Sequence, residues 1–523
     1  MKNLTWLLIF LLIPVSLDAA TFTVTNTNNS GTGSFRQALT DANSTAGSDT
    51  INVSLGSVTE ATVTLQSALP IINEGVTLEG PTGTVVTINA NGTGSVFDID
   101  SPGNNQTVNM SRLVIKGGNS GGLDGGGIYI GLGDTFNLTD ASVESNSAGS
   151  GSGGGIYNRG ISTFTRVTVA ANSAGTDGGG IYSDIGGTIT FANSTISGNT
   201  ADRDGGGLYY GGGSITLNNV TVTNNVADND YPANNLGDGG GINGGGVVSN
   251  NAIVVISSIV AGNIDKDNGD NGNGTWAPDC ETLLLSLYSL IGITDRCSFS
   301  SFSENNRTGN SFSPKDPKLS ALSNNGGFGK THSLQAESPA IDAGNIANQG
   351  INACFSTDQR GFSRPKDGDA NGSVLCDMGA FEIVCGDSMT QSGAGEECDD
   401  GNTNNADSCT NSCKNARCGD GIVGPSETCD DGNTANGDGC DGSCKIEVAP
   451  VAATPPASSG ATGTSPSSGA VATPSTGSPA PSGGTGGGTT TPTTSETPPS
   501  SSSTPTSSSP ESSGKTGGCS LIP

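Results

Sequence analysis

A repeat constrains this chain more than any other feature. Asn146, Asn172, Asn199 and Asn225 follow one another at spacings of 26, 27 and 26 residues, and triple glycines begin at Gly125, Gly153, Gly178, Gly205 and Gly239. A fixed period of this size marks a solenoid, in which each repeat buries its apolar face only against its neighbours. Aligned on the asparagine, the repeats form columns. Val143, Val169, Ile196 and Val222 stand three before it, Leu138, Phe164, Phe191 and Leu217 eight before it, and Phe136, Ser162, Ile189 and Ile215 ten before it. An earlier copy extends these columns with Val108, Met110 and Ile115. Positions ten and eight before the asparagine alternate with polar residues, as a half-buried strand requires, and so do five and three. The phase slips between eight and five, which predicts two strands joined by a bend. The "GGGIY" segment supplies a third. Three short strands in a turn of about 26 residues make an all-β parallel β-helix, with successive turns about 4.8 Å apart and like side chains stacked. Asparagine is expected to take the left-handed corner and to hydrogen-bond its stacked neighbours, and glycine to allow the sharp bends. Tyr129, Tyr157, Tyr182 and Tyr209 form a further column, read as a structural ladder, with a carbohydrate-stacking platform as the alternative. Arg112, Asp140 and Arg166, six before the asparagine, predict an outward ion ladder.

Composition narrows the partners. The 523 residues include 83 glycines and only 4% aromatic side chains, and the formal charge is −29. Nucleic acid and anionic membrane surfaces are excluded, because both demand a basic footprint. A single histidine, His332, leaves no His-based metal cluster and only one residue on which a Ser-His-Asp triad could be built. Residues 1–20, "MKNLTWLLIFLLIPVSLDAA", read as a secretory signal, with Lys2 before an apolar run and Ala19 and Ala20 at the cleavage zone. No later segment has the length and apolarity of an integral membrane span. Thirteen cysteines suit an oxidising compartment, and none precedes Cys280, so the repeats must hold together without staples.

Residues 21–264 would give about nine turns and a length of roughly 45 Å. This stretch resembles the β-helix of bacterial surface proteins similar to polymorphic outer membrane proteins. "TFTVTNTNNSGTGSFRQALTDAN" is similar to that family's opening segment, and "GGGIYN" and "STISGNTA" to its repeat. The resemblance implies a right-handed, single-stranded, pectate-lyase-like solenoid on the surface of a bacterium with an outer membrane. Residues 265–383 begin at the acidic break "DKDNGDNGN", after which Cys280 and Cys297 bracket an apolar run as a candidate disulfide loop. "SPAIDAGN", "DQRGFSRP" and "CDMGAFE" resemble the choice-of-anchor Q domain, which ends exported β-helix proteins. By that resemblance this part caps the last turn, and Cys354 and Cys376 would form a second disulfide. Within it, "DGDANG" offers Asp367, Asp369 and Asn371 as candidate Ca²⁺ ligands at alternate positions before a glycine, although Met378 occupies the place of a twelfth ligand.

Residues 384–447 hold two tandem units. Cys385, Cys398, Cys409 and Cys413 make the first, Cys418, Cys429, Cys440 and Cys444 the second. Export and wide spacing argue for disulfides over zinc, and four cysteines leave three pairings open in each unit. The units resemble Cys-rich disulfide repeats of myxobacterial surface proteins. Asp399, Asp400, Asp430 and Asp431 are read as turn formers, with Ca²⁺ as the alternative. Residues 448–518 are Pro/Ser/Thr/Gly-rich, the composition of a disordered stalk. Residues 519–523, with Cys519 in "GGCSLIP", resemble the front of a Cys-containing C-terminal sorting signal, which makes Cys519 a candidate anchoring site.

Two functions compete. One is a non-catalytic exported surface protein, a rigid β-helix on a flexible stalk, used for adhesion to glycans or other cell-surface components or for extracellular architecture. The other is a polysaccharide lyase or glycoside hydrolase, since many β-helix proteins are such enzymes. Only six basic residues lie in 21–264, namely Arg36, Arg112, Lys116, Arg159, Arg166 and Arg203. The single carboxylate column, Asp124, Asp177, Asp204 and Asp238, recurs on successive turns and so reads as a turn device, because a catalytic pair is needed only once. The first function is favoured, and no catalytic residue is assigned.

Overall fold

The computed structural model describes residues 19–100, 105–229, 241–244, 253–266, 278–345, 353–368, 374–387, 390, 396–402 and 404–447. They all lie in one compact unit, Met1–Ala449, and the other unit, Pro450–Pro523, falls outside them. Residues 1–18, on which the signal reading falls, and residues 448–523, on which the stalk and Cys519 readings fall, therefore lie outside the described residues.

The central rungs of the solenoid are built alike. A short strand such as Ile156–Asn158 or Ile181–Ser183 enters a seven-stranded sheet. A ten-residue strand such as Ile161–Ala170 or Thr188–Ser197 enters a large sheet, and a two-residue strand such as Ser173–Ala174 enters a four-stranded one. All pairings between these strands are parallel, and the register is the column alignment itself. Ile156 pairs with Ile181, Phe164 with Phe191 and Val169 with Ile196. Phe136, Leu138, Val143, Phe164, Val169, Ile189, Phe191 and Ile196 are all fully buried in one continuous core.

The phase slip has a backbone cause. At the position six before the asparagine, Arg112, Asp140, Arg166, Asn193 and Asn219 have φ of 55°, 51°, 56°, 48° and 55°. One left-handed residue there rotates the strand, so that eight and five before the asparagine both face inward. The second corner differs from the expectation. Its left-handed residue is not the column asparagine but the one before it: Ser145, Ala171, Gly198 and Asn224, with φ between 55° and 66°. The asparagine then points into the barrel. Its amide bonds from rung to rung, as Asn146 Nδ2 donates to Asn172 Oδ1 (3.0 Å), Asn172 to Asn199 (2.9 Å) and Asn199 to Asn225 (2.9 Å). The ladder continues through Asn263 and ends on Asp279, whose Oδ1 accepts from Asn263 Nδ2 at 2.9 Å.

The stack also runs beyond Ile264. Leu283–Leu287 pairs with Ile253–Ile256, and Ser298–Phe299 pairs with Leu283–Leu287, adding two rungs past the acidic break. At the N-terminal end, the helix α1 (Phe35–Ser44) interrupts an otherwise all-β fold. Ser34 caps it by accepting from Gln37 N–H, and its buried face, Phe35, Ala38, Leu39 and Ala42, joins the core. Phe35 meets Phe97 edge-on at 6.0 Å.

The segment expected to cap the last turn takes another seat. The described residues of 319–384 lie along the flank of the solenoid, over the outward side chains of the second half-strands. Gln359 Nε2 donates to Thr168 Oγ1 (2.8 Å), Thr195 Oγ1 donates to Gln359 Oε1 (2.6 Å), and Ala380 N–H donates to Thr221 Oγ1 (3.0 Å). A second apolar core forms there, in which Ile259 and Leu290 of the solenoid meet Leu334, Ile341, Met378 and Phe381. Gly379 is required by this approach, since an added Cβ would lie 2.6 Å from Thr221 Oγ1 and 2.9 Å from Ile259 Cδ1.

Candidate functional site

The outward face of the first half-strands is left open by this seating. Over the rungs carrying Val76–Glu79, Thr107–Ser111, Thr135–Glu144 and Ile161–Ala170 it forms a cleft of about 400 Å³. Strand alternation puts Thr77, Glu79, Asn109 and Asn137 on this face, and the left-handed bend turns Arg112, Asp140 and Arg166 beside them. Arg166 grips Asp140 with two bonds, Nε to Oδ1 at 2.6 Å and Nη2 to Oδ2 at 2.8 Å. Arg112 does not complete the expected ladder to Asp140. It turns to the preceding rung, where Nε donates to the Gly80 carbonyl at 2.6 Å and Nη2 lies 3.6 Å from Glu79. On the same face runs an amide line, with Asn137 Nδ2 donating to Asn109 Oδ1 (2.9 Å) and Asn109 Nδ2 to Thr77 Oγ1 (3.4 Å).

The chemistry of this cleft is that of paired charges. The Asp140 carboxylate, through its hydrogen bonds, holds the Arg166 guanidinium above its ordinary range. Such a group is a donor and a poor proton acceptor. The cleft offers donors and acceptors at rung spacing, which suits a hydroxyl-rich ligand. Sequence reasoning found Arg112, Asp140 and Arg166 but missed Glu79, Asn109 and Asn137. Asn109 and Asn137 sit at the same offset from their repeat ends, so the alignment held the signal. Glu79 precedes the clear repeats and had none.

The tyrosine column is observed as a stack. Ring centroids of Tyr129 and Tyr157 lie 5.5 Å apart, Tyr157 and Tyr182 4.9 Å, and Tyr182 and Tyr209 5.0 Å, with planes within 15° of parallel. The ring faces are therefore covered by one another, which disfavours the sugar-platform alternative for the middle of the column. Tyr157 Oη donates to Asp184 Oδ2 at 3.2 Å, and Arg159 approaches the same carboxylate at 3.2 Å. Burial pushes the hydroxyls of Tyr157 and Tyr182 well above the usual phenol range and that of Tyr209 up to about 12.

The carboxylate column acts on backbone. Asp124 Oδ1 accepts from Ser152 N–H at 2.9 Å and Asp177 Oδ1 from Asp204 N–H at 3.3 Å, while Asp238 lies outside the described residues. His332 is a satisfied interior residue: Nε2 meets Ser197 Oγ at 2.8 Å, Nδ1 meets the Ser320 carbonyl at 2.7 Å, and both side chains are buried. Its second partner is a carbonyl where a triad needs a carboxylate, so no Ser-His-Asp triad forms on it. Burial lowers its pKa, which keeps the ring neutral.

The "DQRGFSRP" and "CDMGAFE" segments build a buried ionic knot. Arg360 bonds Asp358 (2.7 Å), Asp387 (2.6 Å) and the Glu382 carbonyl (2.6 Å), with its guanidinium 3.8 Å from the Phe381 ring centroid. Arg364 donates to the carbonyls of Asp377 (3.2 Å) and Gly379 (3.0 Å). Of the proposed Ca²⁺ ligands only Asp367 is described, partly buried beside this knot, and Asp369 and Asn371 fall outside the described residues.

Six disulfides are formed. Cys280–Cys297 and Cys354–Cys376 are the two expected pairs. Both Cys-rich units pair in the same nested way, Cys385–Cys413 around Cys398–Cys409 and Cys418–Cys444 around Cys429–Cys440. Cys385 and Cys413 near Asp399, and Cys418 and Cys444 near Glu427, are close enough to share a metal ion. Their sulfurs are spent in disulfides, so no thiolate is left to ligate one. Asp399 accepts from Gly386 N–H (2.7 Å) and Gly401 N–H (2.8 Å), and Asp430 from Gly419 N–H (2.7 Å) and Gly432 N–H (2.8 Å). These two aspartates are internal turn staples. Asp400 likewise accepts from Asn402 N–H.

Fold and disulfides together define the class, a nearly all-β parallel solenoid followed by small disulfide-rich modules. The modules match a family described as a domain of unknown function, DUF4215, over residues 376–414 and 415–445. Among solved structures the crystal structure of pectate lyase Pel9A is similar, at 15% identity and a TM-score of 0.36, over 70% of this chain and 97% of that one. No curated protein matches the chain.

Proposed function

We propose that this is an exported, non-catalytic surface protein whose β-helix presents the cleft over Thr77–Arg166 to glycans of a cell surface or extracellular matrix. Export rests on the leader-like residues 1–20 and on the six disulfides. The choice-of-anchor Q resemblance, the stalk composition and Cys519 support display from the surface of a bacterium with an outer membrane. The observation that carries the non-catalytic reading is the pairing inside the cleft. Arg166 is held by Asp140 and Arg112 by Glu79 and Gly80, so each basic group is fixed as a charged donor. A lyase needs a basic group that takes a proton, and a hydrolase needs two carboxylates free to act across a bond, whereas Glu79 and Asp140 each face an arginine.

A glycan array probed with the mature protein tests this reading. The expected result is binding to a restricted set of sugars, reduced at least tenfold by Arg166→Ala with the fold intact. Binding unchanged by Arg166→Ala and by Arg112→Ala would remove the cleft from the account.

A further inference from the structure

We propose that Asp49 is the receptor for a new N-terminus: removal of the leader between Ala19 and Ala20 frees an α-amine at Ala20, and the Asp49 carboxylate binds it as an ammonium. The inference rests on the export reading above and goes beyond it by fixing the bond that is cut and what the cut completes.

The geometry lies in the first rung. Thr21–Val24 pairs in parallel with Asp49–Val53, Thr21 on Thr50 and Val24 on Val53. The pairing reaches one residue further back, because Thr50 N–H donates to the Ala20 carbonyl at 2.8 Å. Ala19 is exposed and Ala20 half-buried, so the chain enters the fold at Ala20. Its nitrogen is thereby held in place, and it donates to Asp49 Oδ1 at 2.7 Å.

Asp49 itself is 1% exposed, and Val76, just as buried, lies in register with it on the next rung. Asp49 Oδ2 has no hydrogen-bond partner among the described residues, and no salt bridge among them includes this side chain. A buried carboxylate with one amide bond and no cation is costly. An ammonium at the Ala20 nitrogen supplies what is missing, a positive charge and further N–H donors, at a distance already set.

The sequence agrees on the bond. A cut after Ala20 would leave the charged Asp18 three residues upstream, against the small and uncharged pattern of a leader's end, whereas a cut after Ala19 leaves Leu17 there. Hydrolysis by a signal peptidase consumes one water. Its oxygen completes the Ala19 carboxylate, and its two hydrogens turn the Ala20 N–H into an ammonium. Before the cut Asp49 meets a neutral amide, and after it a charged partner, so loss of the leader completes the first rung.

The test expresses the full chain with its leader in a bacterium that exports it and reads the first residue of the exported product by peptide mass. The expected residue is Ala20. Two purified forms of the mature chain, starting at Ala20 or at Ala19, are then compared with and without Asp49→Asn, which keeps the shape of the side chain. The Ala20 form should melt higher than the Ala19 form by roughly 3 °C or more, and Asp49→Asn should remove that difference. At neutral pH the amine of the Ala20 form should react with an acylating reagent about tenfold more slowly than that of its Asp49→Asn variant. An exported product that begins anywhere but Ala20, equal melting of the two forms, or a difference that survives Asp49→Asn overturns the proposal and leaves export standing. A chain retained inside the cell with its leader attached overturns both.

Discussion

At the residue scale, two glycines of one repeat have opposite reasons to be glycine. Gly198 has φ of 66°, and nothing lies within 4 Å of an added Cβ. One rung earlier Ala171 occupies the same corner at φ 55°. Gly198→Ala should therefore cost only about 1 kcal/mol, the ordinary left-handed penalty. Gly180 is different: an added Cβ would lie 2.5 Å from the Gly207 carbonyl oxygen and 3.0 Å from the Asn199 amide. Backbone cannot yield there without opening the rung, and Gly180→Ala should cost upwards of about 3 kcal/mol. Denaturant unfolding of the two variants measures the contrast, and equal losses would contradict it. Asn199 is the matching test of the ladder. Its side chain makes four buried hydrogen bonds, accepting from Asn172 N–H and Nδ2 and donating to the Val169 carbonyl and Asn225 Oδ1. Asn199→Ala should cost roughly 3–5 kcal/mol by stranding those partners. The asparagine ladder was legible because identical residues recur at one offset. The left-handed residue beside it was not, because Ser145, Ala171 and Asn224 share no side-chain chemistry.

At the element scale, the C-terminal end of the ladder is a carboxylate where the other members are amides. Asp279 Oδ2 accepts from Ile293 N–H at 2.7 Å, a bond that an amide nitrogen could not make. Burial nevertheless pushes its pKa up to about 6, and burial likewise pushes Glu382 up to about 7. Both folded values lie above the unfolded ones. Their contribution to stability is thus full below about pH 4 and is lost as pH rises through 6 and 7. For Asp279 the rise from 3.8 to about 6 is worth roughly 3 kcal/mol. The melting temperature should fall between pH 4.5 and 8, and Asp279→Asn should flatten that slope while weakening the fold at acid pH; an unchanged slope would refute the assignment. The disulfide modules give a second contrast. Nested loops of this size are worth about 3 kcal/mol each, and the modules have little core of their own. Mild reduction should expose the amides of residues 384–447 to hydrogen exchange while the repeats up to Asn225 stay protected.

Elements were unevenly legible. The strands of 107–227 could be placed because their apolar columns repeat. The helix α1 carried its own signals, a Ser34 cap and apolar Phe35, Ala38, Leu39 and Ala42 at helical spacing, yet a solenoid reading passed over them. The motifs of 338–382 marked a unit but not its seat, since Gln359 and Ala380 find Thr168, Thr195 and Thr221 only through contacts far apart in sequence.

At the scale of the whole molecule, eleven first half-strands from Thr21–Val24 to Ser298–Phe299 stack into one solenoid among the described residues, with the described part of 319–384 clasped along one flank. The clasp covers one outward face and leaves the other, where the polar cleft lies. The sequence repeats explain the rod, and the departures from repetition mark the cleft: Glu79, Arg112, Asp140 and Arg166 differ from rung to rung while the interior does not. That division supports a scaffold that binds along one face. The measurement that tests it most directly is the chain length of acidic and neutral polysaccharides, followed by size-exclusion chromatography during incubation with the mature protein. The account predicts that polysaccharides bound through the cleft keep their length, and that Arg112→Ala/Arg166→Ala abolishes binding. Shortening of a polysaccharide that is lost on changing Asp140 or Arg166 would contradict it and make the cleft an active site.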